Sequence, residues 1–120
     1  MLNQIVLVGR LVKKPELKKS ENAKKFSYIT LAVPRSFKNA NGEYDTDFID
    51  CILWDQIAAN TVEYCDKGDI VGVKGRMQSR VVEKDETKNY ILEVVAEKVT
   101  FLSSNKDKEN NKKNAEAVSN

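Results

Sequence analysis

The 120-residue sequence predicts an all-β fold of five strands with one short helix between strands 3 and 4. Alternating apolar and polar side chains, or unbroken apolar runs, recur in short segments bounded by turn residues such as Asn41-Gly42. Only one segment, directly after Trp54, repeats its apolar side chains at the spacing of a helix. A chain of this length has room for one such domain.

Strands 1 and 2 are predicted at residues 5–12 and 26–33. Gly9 interrupts the apolar first strand, where it marks either a bulge or a place of close approach to the backbone. The lysine-rich residues 15–25 are expected to form a long first loop. Strand 2 alternates between an apolar core face and a face with aromatic and polar side chains, and Pro34 is expected to end it.

Strand 3, at residues 47–54, places two large aromatic rings on the face that points away from the core. Successive side chains of a strand point to opposite faces, so Phe48 and Trp54 share one side with Asp50. The opposite, core-facing side carries Ile49, Cys51 and Leu53. Aromatic rings on a partly wet face are a surface on which unpaired bases stack. The alternative is that a bulge shifts the register, or that a loop or an oligomer contact covers the rings.

The helix is predicted at residues 55–65, with Asp55 as its N-cap. Strand 4 follows at residues 69–82 and is expected to break at its glycines. A hairpin tip at residues 85–88 leads to strand 5 at residues 89–102. A helix between strands 3 and 4 of five is the order of the Greek-key barrel called the OB-fold, which binds oligonucleotides on the face of strands 2 and 3 and with two of its loops.

The OB-fold is expected to occupy residues 1–104. Residues 105–120 are polar and charged, and because such a segment cannot bury enough apolar surface, a disordered C-terminal tail is expected there. The first residues lack the pattern of a secretory signal, and no apolar run approaches the length needed to cross a membrane. These features favour a cytoplasmic protein.

The composition argues against most kinds of catalysis. Lysine and arginine (20) nearly balance Asp and Glu (18), so a site for a polyanion must come from local clustering of charge. The chain has no histidine, and Cys51 and Cys65 lack the spacing of metal ligands. Asp45, Asp47 and Asp50 are close in sequence, but no other reactive group converges on them. We therefore expect a binding protein and not an enzyme, with no cofactor and no metal.

Further candidate contacts to a nucleic acid surround the aromatic strand. Tyr28 and Tyr90 are possible additional platforms for bases, with a structural role as the alternative. The cations predicted to meet phosphates are Arg10, Arg35, Arg76, Arg80, Lys38 and Lys88. The alternative for the arginines is a solvated strand edge or pairing with Glu43 or Glu83, and for the first of them an oligomer contact.

Ordered motifs over residues 1–104 resemble the bacterial-type single-stranded DNA-binding proteins. The matching segments are residues 1–11, Pro15-Glu16-Leu17, Leu31-Ala32-Val33, Asn41-Gly42-Glu43, Asp47-Phe48-Ile49, Lys74-Gly75-Arg76 and Glu93-Val94-Val95-Ala96-Glu97. No single segment is diagnostic, but matches at every predicted element make the set specific.

This resemblance implies a homotetramer that coats and protects single-stranded DNA during replication, recombination or repair, in the cytoplasm at the nucleoid. It implies that bases stack on Phe37, Phe48 and Trp54. The chain departs from the family at Val82, where relatives often carry Trp or Tyr, so one stacking contact is expected to be lost or weakened. Residues 116–120 lack the acidic run and apolar tip with which family members recruit replication and repair enzymes, which argues against such recruitment.

The residues alone leave two other functions open, an RNA-binding OB-fold module and a protein-docking member of the primosomal type. Stacking platforms do not separate DNA from RNA, because that distinction depends on contacts to the 2′-OH. Only the family resemblance favours DNA.

Overall fold

The computed structural model describes residues 1–104, and the tail predicted at residues 105–120 lies outside the described residues. Within residues 1–104 the elements are β1 Ile5–Leu11, β2 Lys18–Lys19, β3 Lys25–Lys38, β4 Tyr44–Trp54, α1 Asp55–Tyr64, β5 Ile70–Lys84 and β6 Thr87–Ser103. The strands join in the order β1-β5-β6-β4-β3-β2, and antiparallel pairing of β1 with β3 closes the five long strands into a barrel. The predicted OB-fold, with its helix between the third and fourth long strands, is confirmed.

The prediction that Pro34 ends its strand is wrong, because β3 continues through this residue. The strand β1 pairs with β3 only at Leu31 and Ala32, so the part of β3 that follows Ala32 is an edge strand that bonds to β4 alone. A proline is tolerated on such an edge because its missing N–H faces no partner strand. The register shifts between Pro34 and Lys38, and the hairpin then closes through a turn in which Gly42 has a φ of 80°.

Two smaller corrections concern the first loop and the start of the helix. Lys18–Lys19 was predicted as loop but pairs with the beginning of β3 as a two-residue strand. Trp54 is the N-cap of α1, and no side chain caps the helix. Asp55, predicted as the N-cap, is the first residue of the helix and has a φ of 53°. Aspartate is among the few residues that adopt this left-handed conformation readily, so the chain can turn sharply from β4 into α1.

The core lies inside the barrel and beneath α1. Its fully buried side chains include Leu11, Ile29, Leu31, Leu53, Val71, Val73 and Val94. Cys51 and Cys65 are buried and unpaired, as their positions in the sequence predicted. Burial, together with a nearby carboxylate, raises the pKa of Cys51 to about 12 and that of Cys65 to about 11, so both remain protonated thiols. Gly9 lies against β3 in the close approach that was one of its two predicted roles.

The strands β5 and β6 continue beyond the barrel as a long antiparallel hairpin. Their register shifts between Lys74 and Gly75, and a Cβ atom at Gly75 would overlap the backbone carbonyl of Val95. Only glycine therefore permits this approach of β6 to β5. The tip residues Asp85 and Glu86 both have positive φ, the backbone geometry of a type I′ hairpin turn.

Candidate nucleic-acid interface

The outer face of the β3–β4 hairpin carries the aromatic rings, as the side-chain alternation predicted. Residues opposite each other on neighbouring strands share a face. Four such pairs lie on the outer face, namely Phe26 with Trp54, Tyr28 with Ile52, Thr30 with Asp50, and Ala32 with Phe48. The intervening residues of β4, Cys51 and Leu53, are fully buried in the core. No bulge shifts the register between Phe26 and Val33, so this alternative is excluded over the aromatic stretch.

Phe48 is the most open ring of this face, with 67% of its surface exposed. It lies six residues before Trp54 in β4, which corresponds to about 20 Å along an extended strand. Between the two rings, Asp50 accepts a hydrogen bond of 2.7 Å from the hydroxyl of Thr30. The two platforms are thus separated by a polar stretch and cannot contact the same base.

Trp54 belongs to a cluster of three aromatic rings. The ring of Phe26 lies 5.6 Å from that of Trp54, with 46° between the ring planes, and 5.8 Å from that of Tyr28 in an edge-to-face arrangement. The ammonium group of Lys24 lies over the Trp54 ring, 5.4 Å from its centroid. Because Trp54 is only partly buried, a base that displaces this lysine can reach the indole.

A groove of about 500 Å³ runs between this aromatic cluster and the β5–β6 hairpin. Such a volume falls within the range of about 300–1,000 Å³ that is typical of small-ligand sites. Ile52, which is 4% exposed, lies between the aromatic cluster and the hairpin and lines the groove with Trp54. The hairpin contributes Gln78, Arg80 and Glu93. The groove therefore combines aromatic rings with one buried carboxylate and its partner arginine.

Arg80 is held inside this groove by two partners. Its Nε atom lies 3.2 Å from Oε1 of Glu93, a side chain that is 5% exposed, and its Nη2 atom is 3.4 Å from the hydroxyl of Tyr28. Glu43 and Glu83, the two partners that the sequence left open, do not pair with Arg80. The carboxylate of Glu83 instead lies 3.8 Å from Nζ of Lys88. The guanidinium bridges the hairpin to β3, and Glu93 already neutralises part of its charge.

Arg35 lies at the distal end of the β3–β4 hairpin between two carboxylates. Its Nη2 atom donates to Oδ1 of Asp47 at 2.9 Å, its Nε atom is 3.2 Å from both oxygens of that carboxylate, and its Nη1 atom is 3.6 Å from Asp45. The hydrogen bond from Arg35 lowers the pKa of Asp47, and the pKa of Arg35 is raised by the same bond. The two carboxylates therefore already neutralise the charge of this arginine.

The other predicted contacts are distributed around the aromatic face. Arg10 pairs with Ala32, which in turn pairs with Phe48, so all three lie in one row on the outer face. The Nη1 atom of Arg10 donates to the backbone carbonyl of Gly68 at 2.9 Å. Arg76 donates to the side-chain oxygen of Gln78 at 2.9 Å.

Phe37 and Lys38 lie at the end of β3, far along the hairpin from the groove. Phe37 is 62% exposed, and the ammonium of Lys38 lies 5.8 Å from the centroid of the Tyr44 ring. These residues give the distal end of the hairpin an open ring and a cation. They lie at the same end of the hairpin as Arg35, away from the groove at Trp54.

Tyr90 lies on the opposite face of the β5–β6 hairpin from Arg80. Tyr90 pairs with Val81, the residue after Arg80, and the register does not shift between them. The ring is 74% exposed, but it does not line the groove. The structure thus separates this predicted platform from the other aromatic residues.

The groove is lined by Phe26 and Glu93, which were not predicted from the sequence as site residues. The signal for Phe26 was available, because it has the same side-chain alternation in strand 2 as Tyr28 and Thr30. No local signal marked Glu93, since its partner Arg80 reaches it only through the β5–β6 pairing.

Neither a membrane-spanning helix nor a metal-binding cluster is present within residues 1–104. The ten residues of α1 are too few for a helix to cross a membrane. The described residues contain no group of three or more His, Cys, Asp or Glu side chains arranged to hold a metal ion.

A five-stranded Greek-key barrel with open aromatic rings on the face of its second and third long strands is the arrangement of OB-fold proteins that bind oligonucleotides. Comparison with protein families matches residues 2–102 to the Single-strand binding protein family. The chain belongs to this family, and the resemblance drawn from its sequence is confirmed.

Relatives in several bacteria share nearly half of their aligned residues with the chain. Over 103 aligned residues, the chain is 48% identical to Single-stranded DNA-binding protein B of Bacillus subtilis (strain 168), and the alignment covers 85% of this chain and 91% of the relative. It is 45% identical over 107 residues to Single-stranded DNA-binding protein 1 of Lactococcus lactis subsp. lactis (strain IL1403), covering 88% of this chain and 71% of the relative. The names describe binding proteins, in agreement with the expectation that the chain is not an enzyme.

Proposed function

We propose that the chain binds single-stranded DNA without reading its sequence. The observation that carries this proposal is the pair of accessible rings, Phe48 and Trp54, on one face of β4. Stacking on such rings contributes about 1–3 kcal/mol per base and tolerates every base, because each has a π-face. Phe37, with 62% of its surface exposed, extends this set along the hairpin.

Cations beside the rings are proposed to meet the phosphates. Arg10 lies in the same row as Phe48, and Arg76 and Arg80 lie on the hairpin next to the groove. Arg35 and Lys38 serve the distal end, and Lys88 serves the tip of the β5–β6 hairpin. Because several of these cations are already paired with carboxylates, stacking is expected to carry a larger share of the affinity than charge.

Duplex DNA keeps its base faces inside the stack, so this surface should strongly prefer single strands. The test is titration with an oligo-dT while the fluorescence of Trp54, the single tryptophan of the chain, is followed. Quenching by oligo-dT and none by a duplex of equal length is the expected result. An unquenched Trp54, or an affinity left unchanged by Trp54→Ala, would refute the proposed site.

The distinction between DNA and RNA needs a separate measurement, because stacking is common to both. Competition between oligo-dT and oligo-U of equal length for the Trp54 signal provides it. The single-stranded DNA-binding relatives support a preference for dT. Equal or tighter binding of U would identify the chain as a general single-strand binder or an RNA-binding module.

The chain is further proposed to form a homotetramer. The outward face of β1 supports this, since Val6 is 67% and Val8 is 53% exposed, an apolar strand face that a second copy would cover. Light scattering after size exclusion should report four chains, and Val6→Lys should lower that number. A monodisperse monomer of the unaltered chain would contradict the proposal.

In the cell, the proposed role is to coat and protect single-stranded DNA during replication, recombination or repair, in the cytoplasm at the nucleoid. The family membership and the open aromatic face support this role. The expectation about recruitment of other enzymes concerns residues 116–120, which lie outside the described residues.

A further inference from the structure

A row of three residues crosses the groove end of the outer face. Lys18 of β2 pairs with Phe26 of β3, and Phe26 pairs with Trp54 of β4. Opposite residues of antiparallel strands share a face, so the three side chains stand side by side on the same surface. The short strand β2 thus extends the aromatic face beyond Phe26 and adds a cation to its border.

Phe26 is accessible within this row. It is only partly buried, it lines the groove together with Trp54 and Lys19, and its tilted ring does not stack flat against the indole. A residue that serves only the core would point inward like its neighbour Ser27, which is fully buried. The ring therefore offers apolar surface to a ligand in the groove.

Three lysines lie beside the two rings, and the exposed Glu21 lines the same groove. Lys18 is exposed beside Phe26, Lys19 lines the groove, and Lys24 lies over the ring of Trp54. A base that stacks on Trp54 must displace the ammonium of Lys24, which is held there only by an exposed cation–π contact. The long side chain of Lys24 can then reach a phosphate next to the bound base.

We infer that Phe26, with Lys18, Lys19 and Lys24, forms an additional subsite that binds the nucleotide following the one stacked on Trp54. The base contacts the Phe26 ring and the phosphate meets the lysines. This inference rests on the proposed binding of single-stranded DNA, and it adds a base platform and a direction in which the strand leaves the face, towards β2.

The matched comparison is Phe26→Leu against Phe101→Leu. Phe101 has the same relation to Tyr64 as Phe26 has to Trp54, with centroids 6.0 Å apart and an angle of 46°, but it lines different grooves beside α1. Both substitutions remove a ring from a tilted pair and keep an apolar side chain. Only the first should weaken binding.

Affinity is measured with oligo-dT of increasing length, from roughly 4 to 16 nucleotides, the range of site sizes for one OB-fold. Phe26→Leu should weaken binding by about 5- to 10-fold, the lower end of the effect of one stacked base, once the oligonucleotide is long enough to pass Trp54. Quenching of Trp54 by the mononucleotide dTMP, which covers one platform at a time, should be the same in Phe26→Leu as in the unaltered chain. A loss of affinity that is as large for dTMP as for the oligonucleotides would mean that Phe26 only positions Trp54, and it would overturn the subsite.

A second variant reports on position 26 directly. In the chain that carries both Trp54→Phe and Phe26→Trp, the single tryptophan is moved to the proposed subsite. Long oligo-dT should quench its fluorescence, and unchanged fluorescence while the DNA is bound would overturn the inference. If this double variant does not fold, the length dependence of Phe26→Leu decides alone.

The experiments distinguish failure of the proposed function from failure of the Phe26 subsite alone. If oligo-dT does not bind the unaltered chain, the proposed function and the subsite are both wrong. If oligo-dT binds and Trp54→Ala weakens it, but Phe26→Leu matches Phe101→Leu at every length, the function stands and the subsite is wrong.

Discussion

Replacing Phe48 with leucine separates binding from folding in this protein. Phe48 exposes 67% of its surface, and its cross-strand partner is the small Ala32. The substitution therefore removes little packing, and the free energy of unfolding should change by no more than about 0.5 kcal/mol, as for other exposed positions. The substitution does, however, remove the aromatic face of Phe48 on which a base would stack.

The expected loss of affinity follows from the exposed area. A phenylalanine can bury about 200 Å², so an exposure of 67% leaves about 130 Å² available. One base covers one side of the ring, or about 65 Å², and loss of this whole contact corresponds to about 1.6 kcal/mol and about 15-fold in the dissociation constant. Leucine keeps part of the apolar area, so this is the largest loss expected for Phe48→Leu. This value lies inside the range of about 1–3 kcal/mol observed for stacked bases.

Tyr64→Leu is the matched control. Tyr64 is 64% exposed, nearly the same fraction as Phe48, but it lies on the last turn of α1 away from the groove. The assays are oligo-dT titration followed by Trp54 fluorescence and urea unfolding of each variant. If Phe48→Leu binds oligo-dT as tightly as the unaltered chain does, or no more weakly than Tyr64→Leu, Phe48 is not a platform.

Three further predictions test charge, burial and close packing. Asp47→Asn should release Arg35 for a phosphate, so that oligo-dT binds more tightly. The slope of log affinity against log salt concentration should steepen by about 0.7, and an unchanged slope would contradict this. Folding raises the pKa of the Cys51 thiol from 9.0 to about 12. The stability supplied by the protonated thiol is therefore complete below pH 9 and should decrease as the pH rises towards 12. Urea unfolding at several pH values measures this decrease. Gly75→Ala should destabilise the folded chain by about 1–3 kcal/mol or more, because the added methyl group overlaps the backbone of β6. In the control Gly72→Ala, the methyl group makes only an ordinary contact at 3.6 Å, so the unfolding midpoint should fall much less.

The sequence determined which face of strand 3 carries the rings. Side chains alternate with a period of two, and that property depends only on neighbouring residues in one strand. The buried Cys51 and the exposed Phe48 are therefore where the alternation predicted. The hairpin tip at Gly42 was also predictable, because a positive φ favours glycine whatever surrounds the turn.

Pro34 shows why strand ends were harder to predict. Proline opposes strand formation only where its position would have to donate a hydrogen bond. Whether it has a partner on that side depends on how far β1 extends along β3, and β1 stops pairing at Ala32. The end of the strand was thus decided by a distant element.

The charges of the site were decided only by the tertiary structure. The sequence identifies Arg35 and Arg80 as cations near the aromatic strand, but their carboxylate partners, Asp47 and Glu93, are set by the register within the β3–β4 and β5–β6 hairpins. The same pairing places Tyr90 on the far side of its hairpin. Alternation along one strand is a local property of the chain, whereas the neutralisation of a charge depends on which strands meet and in what register, and only the folded barrel fixes both.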